Sequence, residues 1–255
     1  MNTFVDYYIY IYNYICKAYI IIIYSMLQTI WNYLIYNYKK PEILYFTIIV
    51  LLFSELSIIF FTFLDICKFD SFKKYRITYN NNIRPYPTKS EINYALNQYY
   101  IILSILLSIT YFGMLFLEYI KWIPYDMSDK LPSFYMGTLH YIGISLFSEL
   151  LFYMFHRTVH HPKLYWLHSH HHNYKCNSFS IVNHFLHPLE IIIFIIPPAL
   201  PPIIFGTHLM IVWIYVLVTN TLGIYNHSGY NFPLLNNILL FNSRDHDTHH
   251  VKPKK

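Results

Sequence analysis

MGTLHYIGISLFSELLFYMFHRTVHHPKLYWLHSHHH, residues 136–172, runs without interruption from an apolar stretch into a cluster of histidines. Met136–Phe155 has the roughly 20 residues that one α-helix needs to cross the hydrocarbon core of a bilayer. His156, His160, His168, His171 and His172 follow at once. A helix that leaves the membrane and presents imidazoles at its end predicts an all-α, polytopic membrane protein with a histidine-rich helical cap at the bilayer surface.

Composition extends that reading to the whole chain. Of 255 residues, 55% are apolar and 12% charged, against roughly 25% charged in a soluble domain, and the mean hydropathy is +0.31. A soluble globular protein is excluded. Further spans are predicted at Ile43–Leu64 and Gln98–Ile120, Phe4–Tyr38 is predicted to be a retained segment that spans the membrane or lies at its interface, and Leu189–Tyr225 is predicted to form a helical hairpin broken near its middle by Pro197, Pro198, Pro201 and Pro202. Residues 1–135 read as a transmembrane anchor region, and 136–255 as the domain that carries the chemistry. Glu55, Glu118 and Glu149 are costly in lipid and are expected to find partners; Glu149, about two turns before His156, is also placed to support the histidine region from below.

Charge sets the sidedness. Lys68, Lys73, Lys74, Arg76, Arg84 and Lys89 fill the loop between the second and third spans, which the positive-inside tendency places in the cytosol. Two crossings bring the chain back to that side at His156, and the hairpin returns it there again for His246. Lys39 and Lys40 fall on the opposite side and run against this count for the first span. The net charge of +5 comes without a dense basic run, so no nucleic-acid partner is indicated. Cys16, Cys67 and Cys176 are far apart and suggest neither a disulfide framework nor a thiolate metal site.

Fourteen of the fifteen histidines follow residue 155, and eight fall into three groups: His156 and His160; His168, His171 and His172; His246, His249 and His250. On an α-helix, positions i, i+3 and i+4 share an arc of about 100°, so each group aims its imidazoles at one point. Imidazole suits Fe, Zn, Cu and Ni, and one ion takes about four to six ligands. Eight clustered imidazoles therefore predict two metal ions. His140 and His208 stand alone and read as interface or packed residues, while His161 and His170 fall off the shared faces. A zinc hydrolase would need a motif such as H-E-x-x-H with its carboxylate base, which the chain lacks.

The runs FYMFHRTVHH (152–161) and LYWLHSHHH (164–172), followed by HPLE (187–190), HSGY (227–230) and SRDHDTHH (243–250), resemble the fatty acid hydroxylase and sterol desaturase superfamily. HPLE, HSGY and the last box look most like its methylsterol monooxygenase (C-4 methylsterol oxidase) branch. The likeness covers about a hundred residues, from Phe152 to His250. Family members usually continue beyond the last box, so a truncated C-terminus is expected of a chain that ends at Lys255. His184 stands where the family often has an acidic residue, Asn231 where some relatives carry a further histidine, and the interval from His227 to His246 is a few residues short.

That resemblance implies an O2-dependent oxidation of a sterol C–H bond by two irons. His187 and His227 become additional candidate ligands, and Asp245, Asp247 and Glu190 become candidates to hold the far nitrogen of a ligating imidazole. Electrons are expected from NAD(P)H through a reductase and cytochrome b5, because the chain has no Gly-rich dinucleotide fingerprint; Lys163, Lys175 and Lys252 suit an acidic carrier. The implied location is the endoplasmic reticulum membrane with the boxes cytosolic. A sterol C-5 desaturase or a fatty acyl or sphingolipid hydroxylase shares the boxes. A noncatalytic metal-binding membrane protein is the alternative from a different class.

Overall fold

The computed structural model describes residues 3–79, 82–173, 179–233, 235–236 and 243–251. They form α1 (Thr3–Asn37), α2 (Lys40–Leu44), α3 (Phe46–Ser54), α4 (Leu56–Cys67), α5 (Asp70–Lys73), α6 (Lys89–Tyr119), α7 (Phe134–Val159), α8 (Tyr165–His168), α9 (Pro188–Phe194), α10 (Ile196–Ile204), α11 (Leu209–His227) and α12 (Ser243–Val251). Between α5 and α6 lies one antiparallel hairpin, β1 (Thr78–Tyr79) with β2 (Asn82–Ile83). Among the described residues, five helical stretches are long and apolar enough to cross a membrane: Ile15–Asn37, Glu42–Cys67, Lys89–Tyr119, Phe134–Val159 and Leu209–His227. Large apolar side chains such as Ile21, Phe53, Ile59, Phe112 and Leu146 face outward from them, as a bundle solvated by lipid requires.

Local chemistry sets the helix ends. Thr88 opens α6 with a capping box: its hydroxyl accepts from the Glu91 N–H, and Glu91 Oε2 accepts from the Thr88 N–H at 2.7 Å. Ser133 caps α7 by accepting from the Met136 N–H. The predicted break at the prolines is displaced. Pro197 and Pro198 occupy the first turn of α10, where no N–H is needed, and Pro201 and Pro202 remain helical. The chain turns instead after Ile204, where Gly206 adopts φ +55°, a left-handed conformation that favours glycine.

The hairpin nevertheless starts and finishes at the histidine end, since Glu190 in α9 touches His168 and His227 at the end of α11 touches His171. The opposite end is closed by Trp31. Its Nε1 donates to the Ser128 carbonyl at 2.8 Å, its ring meets His208 edge-on at 4.6 Å, and His208 Nε2 lies 3.2 Å from the same carbonyl. His208 is thus a packed residue.

Packing crosses residue 135. Trp213 Nε1 in α11 donates to Thr47 Oγ1 in α3 at 2.9 Å, and Asn220 Nδ2 donates to Ser54 Oγ. Between α3 and α4 the helix is interrupted at Glu55, whose buried carboxylate accepts from Asn220 Nδ2 at 2.9 Å and Tyr99 Oη at 3.3 Å and meets His184 Nε2 at 3.1 Å. Glu118 accepts from the Tyr45 hydroxyl at 3.0 Å. Glu149 is exposed on α7.

The loop between α4 and α6 lies at the histidine end. Its Ile77 N–H donates to the Gly229 carbonyl at 3.0 Å and its Tyr75 carbonyl accepts from the Asn231 N–H at 2.7 Å. Two of its six cations are not on the surface. Arg76 pairs with Asp65 at 2.8 Å between the rings of Tyr86 and Tyr230, and Arg84 pairs with Asp247.

Glu55 joins α4, α6, α11 and the 3-10 turn Ser180–His184 in one knot. Glu55→Ala should cost about 1–3 kcal/mol by leaving buried polar partners unpaired, while Glu55→Gln should cost less. Thermal melting of the full chain in detergent checks this, and equal melting temperatures for Glu55→Ala and wild type would contradict it.

Candidate metal centre

Four separate segments bring histidines to one end of the bundle. The last turn of α7 and its C-cap supply His156 and His160. His168 closes α8, and a tight turn then leads into the 3-10 helix His171–Asn173, so the middle box is not the single α-helix that its spacing predicts. His227 ends α11, and α12 supplies His246, His249 and His250.

These nine side chains form two groups, each with its ligand atoms within 4.8 Å of one another. The first holds His156, His160, His168, His172 and His249; the second holds His171, His227, His246 and His250. The boxes interleave. His168 and His172 go one way and His171 the other, and α12 divides itself likewise, because His246 and His250 stack at i and i+4 while His249 faces the first group.

Within the first group Nε2 of His156 lies 3.0 Å from that of His249 and 3.1 Å from that of His160, and Nε2 of His172 lies 3.0 Å from that of His168. In the second, His227 Nε2 lies 2.9 Å from His246, 3.2 Å from His250 and 3.2 Å from His171. Metal–nitrogen bonds of roughly 2.0–2.1 Å place neighbouring ligand nitrogens about 3 Å apart around one ion. The separations fit.

The far side of the rings decides what the near side offers. His227 Nδ1 is 2.8 Å from the Gly223 carbonyl, which can only accept, so the proton sits on Nδ1 and Nε2 turns a lone pair inward. His168 Nδ1 is held by Glu190 Oε1. Of the three carboxylates expected behind imidazoles, Glu190 stands there, while Asp245 is exposed and Asp247 pairs with Arg84. Nδ1 of His156, His171, His172 and His250 is buried without a partner among the described residues. Burial holds His160, His168 and His249 at about 4 and His172 at about 2, below the ordinary 6.5, and puts His171, His246 and His250 well below it. Neutral imidazoles with ring nitrogens converging at these distances are the donor arrangement that a metal ion's coordination shell uses.

His187, expected as a further ligand, lies outside both groups. Its Nδ1 accepts from the Leu189 N–H at 3.2 Å and caps α9, a role set by the following Pro188 at the first helical position. His161 Nδ1 accepts from the Lys163 N–H, and the His170 ring stacks on Phe185 at 4.1 Å. Lys163 is exposed near His160; Lys175 and Lys252 lie outside the described residues. On the apolar side of the first group, Phe152 and Phe194 approach His156 at 5.5 and 6.1 Å between ring centroids.

A family model described as fatty acid hydroxylase matches residues 141–255, which contain all nine of these histidines. Over these residues the chain is similar to the fatty acid hydroxylases. Methylsterol monooxygenase 1 of Rattus norvegicus is 31% identical over 133 residues, 51% of this chain and 45% of that protein. Methylsterol monooxygenase 1 of Gallus gallus is 27% identical over 234 residues, 87% of this chain and 74% of that protein. Very-long-chain aldehyde decarbonylase GL1-8 of Oryza sativa subsp. indica is 26% identical over 231 residues, 88% and 82% of the two chains. The chain spans less than half the length of several such relatives, 39% and 45% in two of them. No solved structure matches.

The depressed histidines give the chain a pH signature. Above about 6.5 the imidazoles are neutral both folded and unfolded. As pH falls from about 6.5 toward 4, the unfolded chain binds protons that the fold refuses, so the metal-free fold weakens. The melting temperature of the chelator-stripped chain should fall steadily between pH 7 and pH 5, and a flat profile would contradict the burial of neutral imidazoles.

Proposed function

We propose that this chain is a membrane di-iron oxygenase that oxidises a C–H bond of a sterol, in the manner of a C-4 methylsterol oxidase. One observation carries the reading: nine inward-facing imidazoles form two donor groups inside the segment similar to the fatty acid hydroxylases. His156, His160, His168, His172 and His249 would hold one iron, and His171, His227, His246 and His250 the other. Bound there, two irons would supply the O2-dependent oxidation that an unactivated C–H bond requires.

The chain's own residues supply placement and protection. Glu190 fixes the ring of His168 and the Gly223 carbonyl fixes that of His227, which sets the tautomers and raises ligand basicity. Phe152 and Phe194 cover the first group and exclude water on that side. The pair Phe152–Phe194, with ring centroids 5.2 Å apart, offers an apolar contact surface to a rigid lipid arriving from the bilayer. Electrons would come from NAD(P)H through a reductase and cytochrome b5. The loop 68–89 and the boxes share one end of the bundle, which supports a cytosolic site in the endoplasmic reticulum membrane.

A second reading has its own support. The rice aldehyde decarbonylase aligns along 88% of this chain, which favours a long acyl-derived substrate for the same metal pair.

Expression in a cell that lacks its own sterol C-4 methyl oxidase, with sterols profiled by mass spectrometry, separates the readings. Wild type should consume 4,4-dimethylsterols, and His249→Ala and His171→Ala should each lose at least about a hundredfold in turnover by removing a ligand. Persistence of 4,4-dimethylsterols with consumption of a long-chain aldehyde or acyl lipid would favour the second reading, and persistence with no lipid consumed would overturn both.

A further inference from the structure

We infer that Arg84, from the loop ahead of α6, is a positioning residue for the metal ligands of α12. This rests on the proposed metal pair. Arg84 belongs to the part of the chain that the family model leaves unmatched, and sequence reading assigned it only a topological charge. In the structure its side chain is 1% exposed and pairs with Asp247, itself 1% exposed. Asp247 stands between His246 on one side and His249 and His250 on the other.

The helix that carries those three ligands is short and polar, and it packs against α11. Its nine residues read SRDHDTHHV, with Val251 the one aliphatic side chain. Helices shorter than about 12 residues are marginal in isolation, and this one has no apolar stripe of its own. Its first turn is tied down when Ser243 Oγ donates to the Tyr230 carbonyl and Arg244 donates to the Thr78 carbonyl at 3.3 Å. The Arg84–Asp247 ion pair grips α12 at the level of its ligands.

The grip is firm because its other end is fixed. The Arg84 N–H donates to the Ile77 carbonyl at 2.9 Å, the Ile77 N–H donates to the Gly229 carbonyl, and Arg76 is held between Tyr86 and Tyr230. The loop is therefore a strap anchored two and three residues beyond His227 that reaches over to α12. It ties the His227 turn to the helix of His246 and His250, the three residues that form the second group with His171. Rotating α12 by even a fraction of a turn would also carry His249 out of the first group.

A buried charge that loses its partner is strongly unfavourable, and the helix can relieve that by moving. The test uses the full chain in detergent, stripped and reloaded with Zn2+ and separately with Co2+. Arg84→Gln and Asp247→Asn should each weaken Zn2+ retention against a chelator by about tenfold or more and alter the visible ligand-field bands of bound Co2+. Lys73→Ala, an exposed cation of the same loop, should change neither. The reversed pair, Arg84→Asp with Asp247→Arg, should recover most of the retention. If Arg84→Gln fails to fold, the near-isosteric Asp247→Asn and the reversed pair still decide. Wild-type retention and spectra in Asp247→Asn, or a reversed pair no better than the single variants, would overturn the inference. A wild-type chain that retains no metal at all would overturn the proposed metal pair, and the inference with it.

Discussion

Nine imidazoles converge as two groups at one end of a membrane bundle, with neighbouring ring nitrogens close to 3 Å apart. That convergence constrains everything around it. Four chain segments separated by up to about ninety residues must end at one point, so α7 and α11 must both finish at the same membrane level and the α9–α10 arm must start there. Burial keeps the rings neutral, and neutrality makes them donors to a cation rather than cations themselves. The fold thus brings together two sets of imidazoles, each of which could hold a metal ion.

Several costly features become intelligible under that constraint. Glu55 interrupts a membrane helix, yet it ties His184, Tyr99 and Asn220 beneath the second group, where α11 must be fixed for His227 to point correctly. Arg76 and Arg84 are buried in a loop where solvated charges are the norm, and both pair with carboxylates at the histidine end. Buried ion pairs contribute little net stability. Here they fix register, which a polar helix of nine residues does not provide for itself.

Much of this was legible in the sequence. Periodic apolar stretches gave the helices, because lipid imposes length and composition on any span, and the i, i+3, i+4 spacing singled out the eight box histidines that the structure brings together. What spacing does not contain is the partition between two groups: His168 and His171 are neighbours in one box but face different groups, since the turn after α8 redirects the chain. His187 shows the limit from the other side, as its H-P sequence also specifies a helix cap. Arg84 left no local signal, because its partner Asp247 is more than a hundred and sixty residues away. Proline content misplaced the hairpin turn, since prolines in the first turn of a helix start it rather than end it.

X-ray absorption at the iron edge of the purified, anaerobically loaded full chain tests the central claim most directly. Two irons per chain should appear, each with a nitrogen-dominated inner shell at roughly 2.0–2.2 Å and the outer-shell scattering of several imidazole rings. A single iron per chain, or an inner shell dominated by oxygen without imidazole scattering, would contradict the assignment of these nine histidines to two metal sites.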